Sequence, residues 1–581
     1  MKKLFLIVAL LTLCTANTNA QWVSPGVGNN YSLSDLVSIS DGVVTSQEEG
    51  MFHINADLTI ATNDVLTIDG STEGIVVADQ VIITIAGTLR CDVDSLIMFT
   101  GNDPCGNSEG HYNLLFDNAV ECHLKGLHLC QGGGIKLIES EVHFEDCRFS
   151  AFNTQYTSQV INYFHCNPII ERCYFHDNDG AAVGSAANIT GSPKILHSIF
   201  FNNVLNNTNT PQINLGPGAE DSILIVGNHV EGYQSDRSGG IAITDLMGTG
   251  TTKARISDNV VVNNRYGFTQ QGYDINTLIY DNIFSDNNLE TDPMNGGSGI
   301  SIFGYDNRCL AKARRNLISG NLWGITAIMN QSLDLGTADD HGENVIYGNG
   351  NNGISYELYN NSSNDLSAIG NYWGSNDESH AEAVIYHNYD DATLGTVTFS
   401  PTAELHPHFI SFTLRQTDNT SLPHDIIGVI DQDNLSITLN ISQDIDLSNI
   451  VISYDIPLGI TADIESEIAI DLTSPTPIIL STPHEEQLTW MVIAQTSTAV
   501  EQHNTLSSCA FPNPASGNNI VVTFHNEDPK IITMRNNRGQ IVFQHTTTEA
   551  FLSLEAEKFT PGLYILTINN INSIETLKII F

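Results

Sequence analysis

The feature that most constrains this chain is an asparagine that keeps returning. From about residue 110 to 400 one short unit recurs: an apolar residue, two or three polar ones, an Asn, then an apolar residue two further on. It reads "ILIVGNHV" at Asn228, "ARISDNVV" at Asn259, "TLIYDNIF" at Asn282, "AKARRNLI" at Asn316, "GENVI" at Asn344 and "SAIGNYW" at Asn371. Earlier copies put Cys147, Cys173 and Ser198 at the same place, in "FEDCRF", "IERCYF" and "LHSIFF". Successive copies lie about 23 to 34 residues apart, the period of a solenoid. A Gly before an alternating apolar stretch follows in many units, at Gly240, Gly267, Gly299, Gly324 and Gly353.

Alternation with period two marks strands with one buried face. Asn and Gly between short strands imply sharp corners, because both tolerate positive φ. Strands this short cannot bury a core alone, so successive turns must stack and pair in parallel, about 4.8 Å apart. The recurring Asn then stacks on itself, its amide bonding above and below as in other Asn ladders. Residues three before and two after it should point inward. Ile225, Ile256 and Ile279 fit the first rule, and Val230, Val261, Phe284, Ile318, Ile346 and Trp373 the second.

These repeats resemble the right-handed parallel β-helix family of pectate-lyase-like proteins. The stretch from "INADLTI" to "IITIAGTL" looks like the first coils of such helices, with strand patterning at Leu66 to Ile68 and Ile82 to Ile85. The stretch from "NYWGSNDESH" to "TVTFSP" looks like their last coil. After Pro401 the ladder stops. Short alternating strands such as "FISFTL", "LSITLNI" and "LTWMVIAQ" imply a small sandwich similar to immunoglobulin-like modules, without their Cys–Trp–Cys signature. The last segment reads as a second sandwich. Pro512, Asn513 and Pro514 open it, Gly539 marks a central turn, Gly562 and Tyr564 lie in the penultimate strand and Lys578 in the last. As a set these resemble the type A C-terminal sorting domain of the type IX secretion system of Bacteroidetes. The resemblance implies export by that machinery to the cell surface or beyond. The Asn-x-Ser/Thr triplets, such as Asn188 to Thr190, then lose a glycosylation reading.

The expected fold class is all-β: a right-handed parallel β-helix solenoid followed by two small β-sandwich domains. The expected boundaries are a signal peptide over 1–20, the helix with its N-terminal cap over 21–405, the immunoglobulin-like sandwich over 406–504 and the sorting domain over 505–581. Lys2 and Lys3, an apolar run from Leu4 to Leu13, and the small residues ending at Ala20 carry the signal-peptide reading. Leu13 before Cys14 argues against a lipoprotein anchor, and no later apolar run is long enough for a membrane helix.

Lys and Arg number 22 against 66 Asp and Glu, and the formal net charge is −44. Such a chain repels nucleic acid and anionic membranes, so neither is a general partner. Ten cysteines match no zinc spacing; Cys91 with Cys105 is the disulfide to test, against buried free thiols. No cofactor motif is present. Calcium stays open without a motif to hold it, since "HDNDG" at His176 to Gly180 lacks the spacing and distant Glu of a calcium loop and reads as a corner.

The stretch "DLGTADDHGEN" looks catalytic, with Asp339 and Asp340 running into His341. Register places it in a turn feeding the strand after Asn344. A β-helix lyase needs a Lys or Arg base and a cation for the uronate carboxylate. The scarce cations cluster in "RCLAKARR", at Arg308, Lys312, Arg314 and Arg315, and Arg255 shares the strand position of Lys312 two coils away. Asp258, Asp281, Arg315 and Glu343, each just before the ladder residue, form an outward column. A salt-bridged stack is the plain reading; a patch of Arg255, Lys312, Arg314, Arg315, Asp281 and Glu343 gripping an acidic sugar is the sharper one. Tyr266, Tyr273, Tyr305, Trp323, Tyr356, Tyr359 and Tyr372 offer rings that stack on sugars if exposed. The leading expectation is a glycan-binding or surface-interaction protein. The alternatives are a polysaccharide lyase acting on an acidic glycan and a non-catalytic structural or adhesive spacer. Cations and aromatics in one groove would mark the site.

Overall fold

The computed structural model describes residues 21–102, 111–248, 250–442, 445–484, 486–497, 509–511, 519–524, 530–536, 541–549, 551–559, 562–570 and 574–580. The chain divides into two compact units, Met1–Leu439 with Asp446–Ala494, and Asn440–Ile445 with Gln495–Phe581. The signal-peptide reading at 1–20, Cys105, Pro512, Asn513, Pro514, Gly539 and the boundary at 504/505 lie outside the described residues. No helix among the described residues is long and apolar enough to cross a membrane.

The first unit is dominated by a right-handed parallel β-helix with three faces. One face is a single long sheet of fourteen strands, all paired in parallel from Trp22–Val23 to Ile385–Tyr386. Its alternation stacks Ile161, Val183, Ile213, Ile241, Phe268, Ile300 and Ile325 in one inward column, each fully buried. The second face carries strands such as Thr252–Ser257, Ile275–Tyr280 and Leu310–Arg314. The third carries Val260–Val262, Ile283–Ser285 and Leu317–Ser319. All nine residues expected inward by the three-before, two-after rule are buried.

The corner between the second and third faces departs from the sequence reading in one respect. The left-handed residue is not the Asn but the one before it: Asp258, Asp281, Arg315 and Glu343 have φ between 52° and 61°. Glu and Arg there bear the strain of a left-handed backbone so that the following amide can face inward. Asn282 is representative. Its Nδ2 donates to the carbonyls of Ile256 and Tyr280 and to Asn316 Oδ1, each at 2.9 Å. Its Oδ1 accepts from the backbone N and Nδ2 of Asn259, at 3.1 and 2.9 Å. The same bonding runs from Asn228 through Asn344 to Asn371. Ser198 Oγ and the sulfurs of Cys173 and Cys147 continue it toward the N-terminus.

A second ladder runs five residues further on, through Asn264, Asn287, Asn321 and Asn349. Where the coil at Asn228 has Tyr233 at that offset, Gln212 bridges the gap, accepting from Asn203 and donating to Asn264. The N-terminal end is closed by the helix Leu33–Ile39, capped by Ser32 and Asp35 and burying Leu33 and Leu36. Beneath it the buried Asp64 accepts from the backbone N–H groups of Gly26, Gly28 and Asn29 at 2.7 to 2.9 Å. Burial pulls its carboxyl up, but the Ser24 hydroxyl together with those backbone bonds outweighs that pull and holds it below the ordinary range.

Within the same unit, antiparallel strands after the helix pack Phe409, Phe412, Tyr454 and Trp490 into a sandwich core. The second unit holds two antiparallel sheets over a core of Ile520, Val522, Ile532, Met534, Leu566 and Ile568. Tyr564 lies in that core, and Lys578 is exposed on the last strand, opposite Ile565. Among the described residues no two cysteines pair, and Cys91 faces the interior.

Candidate functional site

The cation cluster lies on the second face and its corner. Arg255, Leu278 and Lys312 are register partners on successive coils, and Arg255 Nε donates to Ser257 Oγ at 3.1 Å. Lys312 Nζ meets Asp340 Oδ2 at 2.6 Å. Arg314 is buried. Its guanidinium donates to both oxygens of Asp334 at 2.9 Å, to Asp340 Oδ2 at 2.8 Å and to the carbonyls of Ala313 and Asp334 at 2.8 and 3.0 Å. Arg315 pairs bidentately with Asp281 at 2.7 and 2.9 Å, over the ring of Tyr280. Its corner neighbour Glu343 is exposed. Arg308 pairs with Asp274 and Asp306.

Each of these Lys and Arg groups except Arg255 already has a carboxylate partner. Hydrogen bonds from Lys312 and Arg314 hold the Asp340 carboxyl down at about 2, and those to Asp340 and Asp281 push Lys312 and Arg315 up. In "DLGTADDHGEN", therefore, Asp340 pins a loop to the sheet, while Asp339 and His341 are exposed beside it.

The aromatics gather elsewhere, on the outward side of the long sheet. Trp323 stacks on Tyr359 with centroids 5.3 Å apart and planes 18° apart, and Tyr356 sits 4.6 Å from Trp323. Tyr386, the register partner of Tyr359 on the next coil, completes the group at 5.0 Å. All four rings are partly exposed. Trp323 is held by its Nε1 donating to Pro293 O at 3.0 Å. A cleft of about 570 Å³, lined by Thr291, Pro293, Leu322 and residues 348–355, opens beside Trp323 and Tyr356. The row leading to Tyr359 through earlier coils is small and uncharged, with Asn214, Thr269 and Ser301 partly exposed and Asn162, Gly184, Ala242 and Thr326 buried between them.

The cluster of Lys312, Arg314 and Arg315 and the group around Trp323 thus lie on different faces. Tyr273 and Tyr305 form a separate pair with centroids 5.0 Å apart. Tyr372 is core, and burial pushes the Tyr266 phenol up to about 12. Tyr386 was not singled out in the sequence because it follows the final ladder residue, where the repeat no longer sets register.

Under the aromatic group lies Glu357, 3% exposed, which ends the second ladder. Its carboxyl accepts from Asn349 Nδ2 at 2.6 Å, and burial pushes its pKa up to about 7. A carboxyl whose folded pKa exceeds its unfolded value contributes fully only below the unfolded value of about 4.5, and that contribution is lost as pH rises toward 7. Glu357→Gln is therefore expected to stabilise the protein at pH 8 by about 2 kcal/mol and to flatten its stability between pH 5 and 8. Thermal melts across that range check it; a parallel pH dependence in both proteins would refute the assignment.

Residues 112–284 match the family model described as a right-handed β-helix region, and residues 237–379 one described as a protein of unknown function, DUF1565. Residues 509–581 match a secretion system C-terminal sorting domain. No curated protein matches the chain. Similar solved structures include a mutant of the periplasmic alginate epimerase AlgG, at 12% identity over 65% of this chain and 82% of that one, with a TM-score of 0.39. The tailspike of E. coli bacteriophage HK620, in complex with a pentasaccharide, matches at 12% over 79% and 85%, TM-score 0.39. The Streptococcus pneumoniae surface protein and adhesin PfbA matches at 12% over 59% and 92%, TM-score 0.34.

Proposed function

We propose that this right-handed β-helix protein, exported to the cell surface or beyond by its type IX C-terminal sorting domain, binds a neutral glycan chain along the outer face of its long sheet. The observation that carries the reading is the group of Trp323, Tyr356, Tyr359 and Tyr386 at the end of a row of small uncharged side chains. Sugar rings present apolar C–H faces that stack on exposed aromatics, while Asn, Ser and Thr serve hydroxyl groups. Lys136, the register partner of Asn162, is the cation at the far end of the row, and the stretch from Asn162 to Thr326 beside the aromatics holds no charge to match a uronate, which favours a neutral chain there.

A lyase would need a cation free to approach the substrate. Lys312, Arg314 and Arg315 are each engaged by a carboxylate, which leaves Arg255 as the one cation of that cluster open to a substrate. Incubation with acidic polysaccharides is expected to give no rise in the ultraviolet absorbance of unsaturated uronates. An array of neutral glycans is expected to return binders, and Trp323→Ala to weaken the best of them by about tenfold or more, which is roughly 1.4 kcal/mol per decade. Calorimetry on both proteins reads this out. An empty array would leave the spacer reading standing, and unchanged affinity in the variant would move the site off these rings.

A further inference from the structure

We propose that His123, His143 and Glu145 form a binding site for one divalent transition-metal ion of the zinc class, on the second face of the helix and independent of the glycan reading. His123 and His143 are direct register partners on adjacent parallel strands, Cys122–Cys130 and Val142–Glu145. Their rings stack with centroids 4.8 Å apart and planes 22° apart. Glu145 follows His143 by two residues, so the pleat returns it to the same face. One donor atom from each of the three lies within 4.8 Å of the other two, and His123 Nε2 is 2.9 Å from Glu145 Oε2.

Two details distinguish this group from an ordinary surface cluster. His143 Nε2 is a buried ring nitrogen with no hydrogen-bond partner, 3.5 Å from Glu171 Oε2. An orphaned buried nitrogen asks for a partner, and an ion at the nitrogen edge of the two stacked rings, in line with their in-plane lone pairs, would supply one. The other oxygen of Glu145 is engaged by Arg172, which also pairs with Asp146 and Glu171. That contact orients the carboxylate from behind and leaves Oε2 directed at the imidazoles, the arrangement that positions metal ligands. Two imidazoles and one carboxylate suit zinc and its neighbours, whereas calcium and magnesium prefer oxygen donors alone. Three protein ligands leave a position for Glu171 or water. His143 also lines a cleft of about 500 Å³ with Glu121, Glu139, Glu141 and His165, which gives an exogenous ligand a route to the ion.

The donors must close from their present spread to zinc–nitrogen distances of about 2.0–2.1 Å. Side-chain rotation achieves this, because the strand register already holds the backbones adjacent. The test is calorimetric titration of ZnCl₂ into the chelator-treated full protein, with its melting temperature read in EDTA and in zinc. One equivalent is expected to bind, and the melt to rise with zinc. The double variant His123→Ala with His143→Ala is expected to lose at least about 100-fold in affinity while melting as wild type does in EDTA. Glu145→Gln, which keeps an oxygen for Arg172, is expected to lose about tenfold and serves if the double variant does not fold. Cobalt should give tetrahedral visible absorption in the wild type and none in the double histidine variant. Absence of stoichiometric zinc uptake by the wild type, or equal uptake by either variant, would overturn the proposal.

Discussion

Asn282→Ala is expected to lower the unfolding free energy by about 4 kcal/mol. The side chain is fully buried and takes part in five hydrogen bonds, to two carbonyls below and within its own coil and to the ladder residues on either side. Alanine strands the backbone N–H of Asn259 and takes the donor from the carbonyls of Ile256 and Tyr280 in a dry corner, and buried unpaired polar groups cost about 1–3 kcal/mol each. Asn282→Ser should cost about half as much, because Ser198 shows that a hydroxyl can hold the position. Denaturant titration followed by circular dichroism measures both. A loss below about 1 kcal/mol for alanine would mean that the ladder is ornament and that strand pairing alone holds the corner.

The second large effect is expected at Arg314. Its guanidinium is buried and fixes two carboxylates and two carbonyls at once. Arg314→Ala should cost about 3 kcal/mol, and lysine should not rescue it, since one ammonium cannot reach four acceptors in a plane. The damage should be local. The loop from Asp334 to Gly342 loses its tie to the sheet, so limited proteolysis should cut there in the variant and spare the wild type. Acid should loosen the same loop. The Asp340 carboxyl is held at about 2, so its contribution is present above the ordinary carboxylate range and is lost as pH falls toward 2. Asp340→Asn should remove that acid step, and a variant that still resists protease at neutral pH would place the tie elsewhere.

The helix was legible because its physics repeats. Ile225, Ile256 and Ile279 declare an inward column with no knowledge of the third dimension. The second ladder was equally visible, since Asn264, Asn287, Asn321 and Asn349 each follow a ladder Asn by five residues. It was overlooked because the first ladder already accounted for the corner. The left-handed position was misplaced by one residue because Asn is the usual occupant of such backbone. Here the Asn is needed inside, so Arg315 and Glu343 take the strained place.

The candidate sites were less legible for a different reason. Spacing along a coil says which column a residue joins, but loop lengths decide which columns meet. Trp323 and Tyr356 come together across a coil whose outgoing loop is long. His143 lies in the coil with Cys147 rather than Asn at the ladder and His123 in the coil before it, where Leu127 holds that position and the repeat is weakest.

That N-terminal substitution of Cys for Asn bears on how the protein reaches its working state. Cys91, Cys122, Cys147, Cys166 and Cys173 fall within a few successive coils and are buried, while Cys130 among them is partly exposed. Burial pushes Cys91 up to about 12 and Cys122 to about 11, so the thiolate that oxidants attack is scarce. An exported chain exposed to oxidants before its coils close carries seven thiols between Cys91 and Cys173, a stretch open to wrong disulfides while unfolded. Coil closure is therefore also a race against oxidation. Once it is won, the same residues are sealed from the outside world by nothing more than the hydrophobic interior they helped to build.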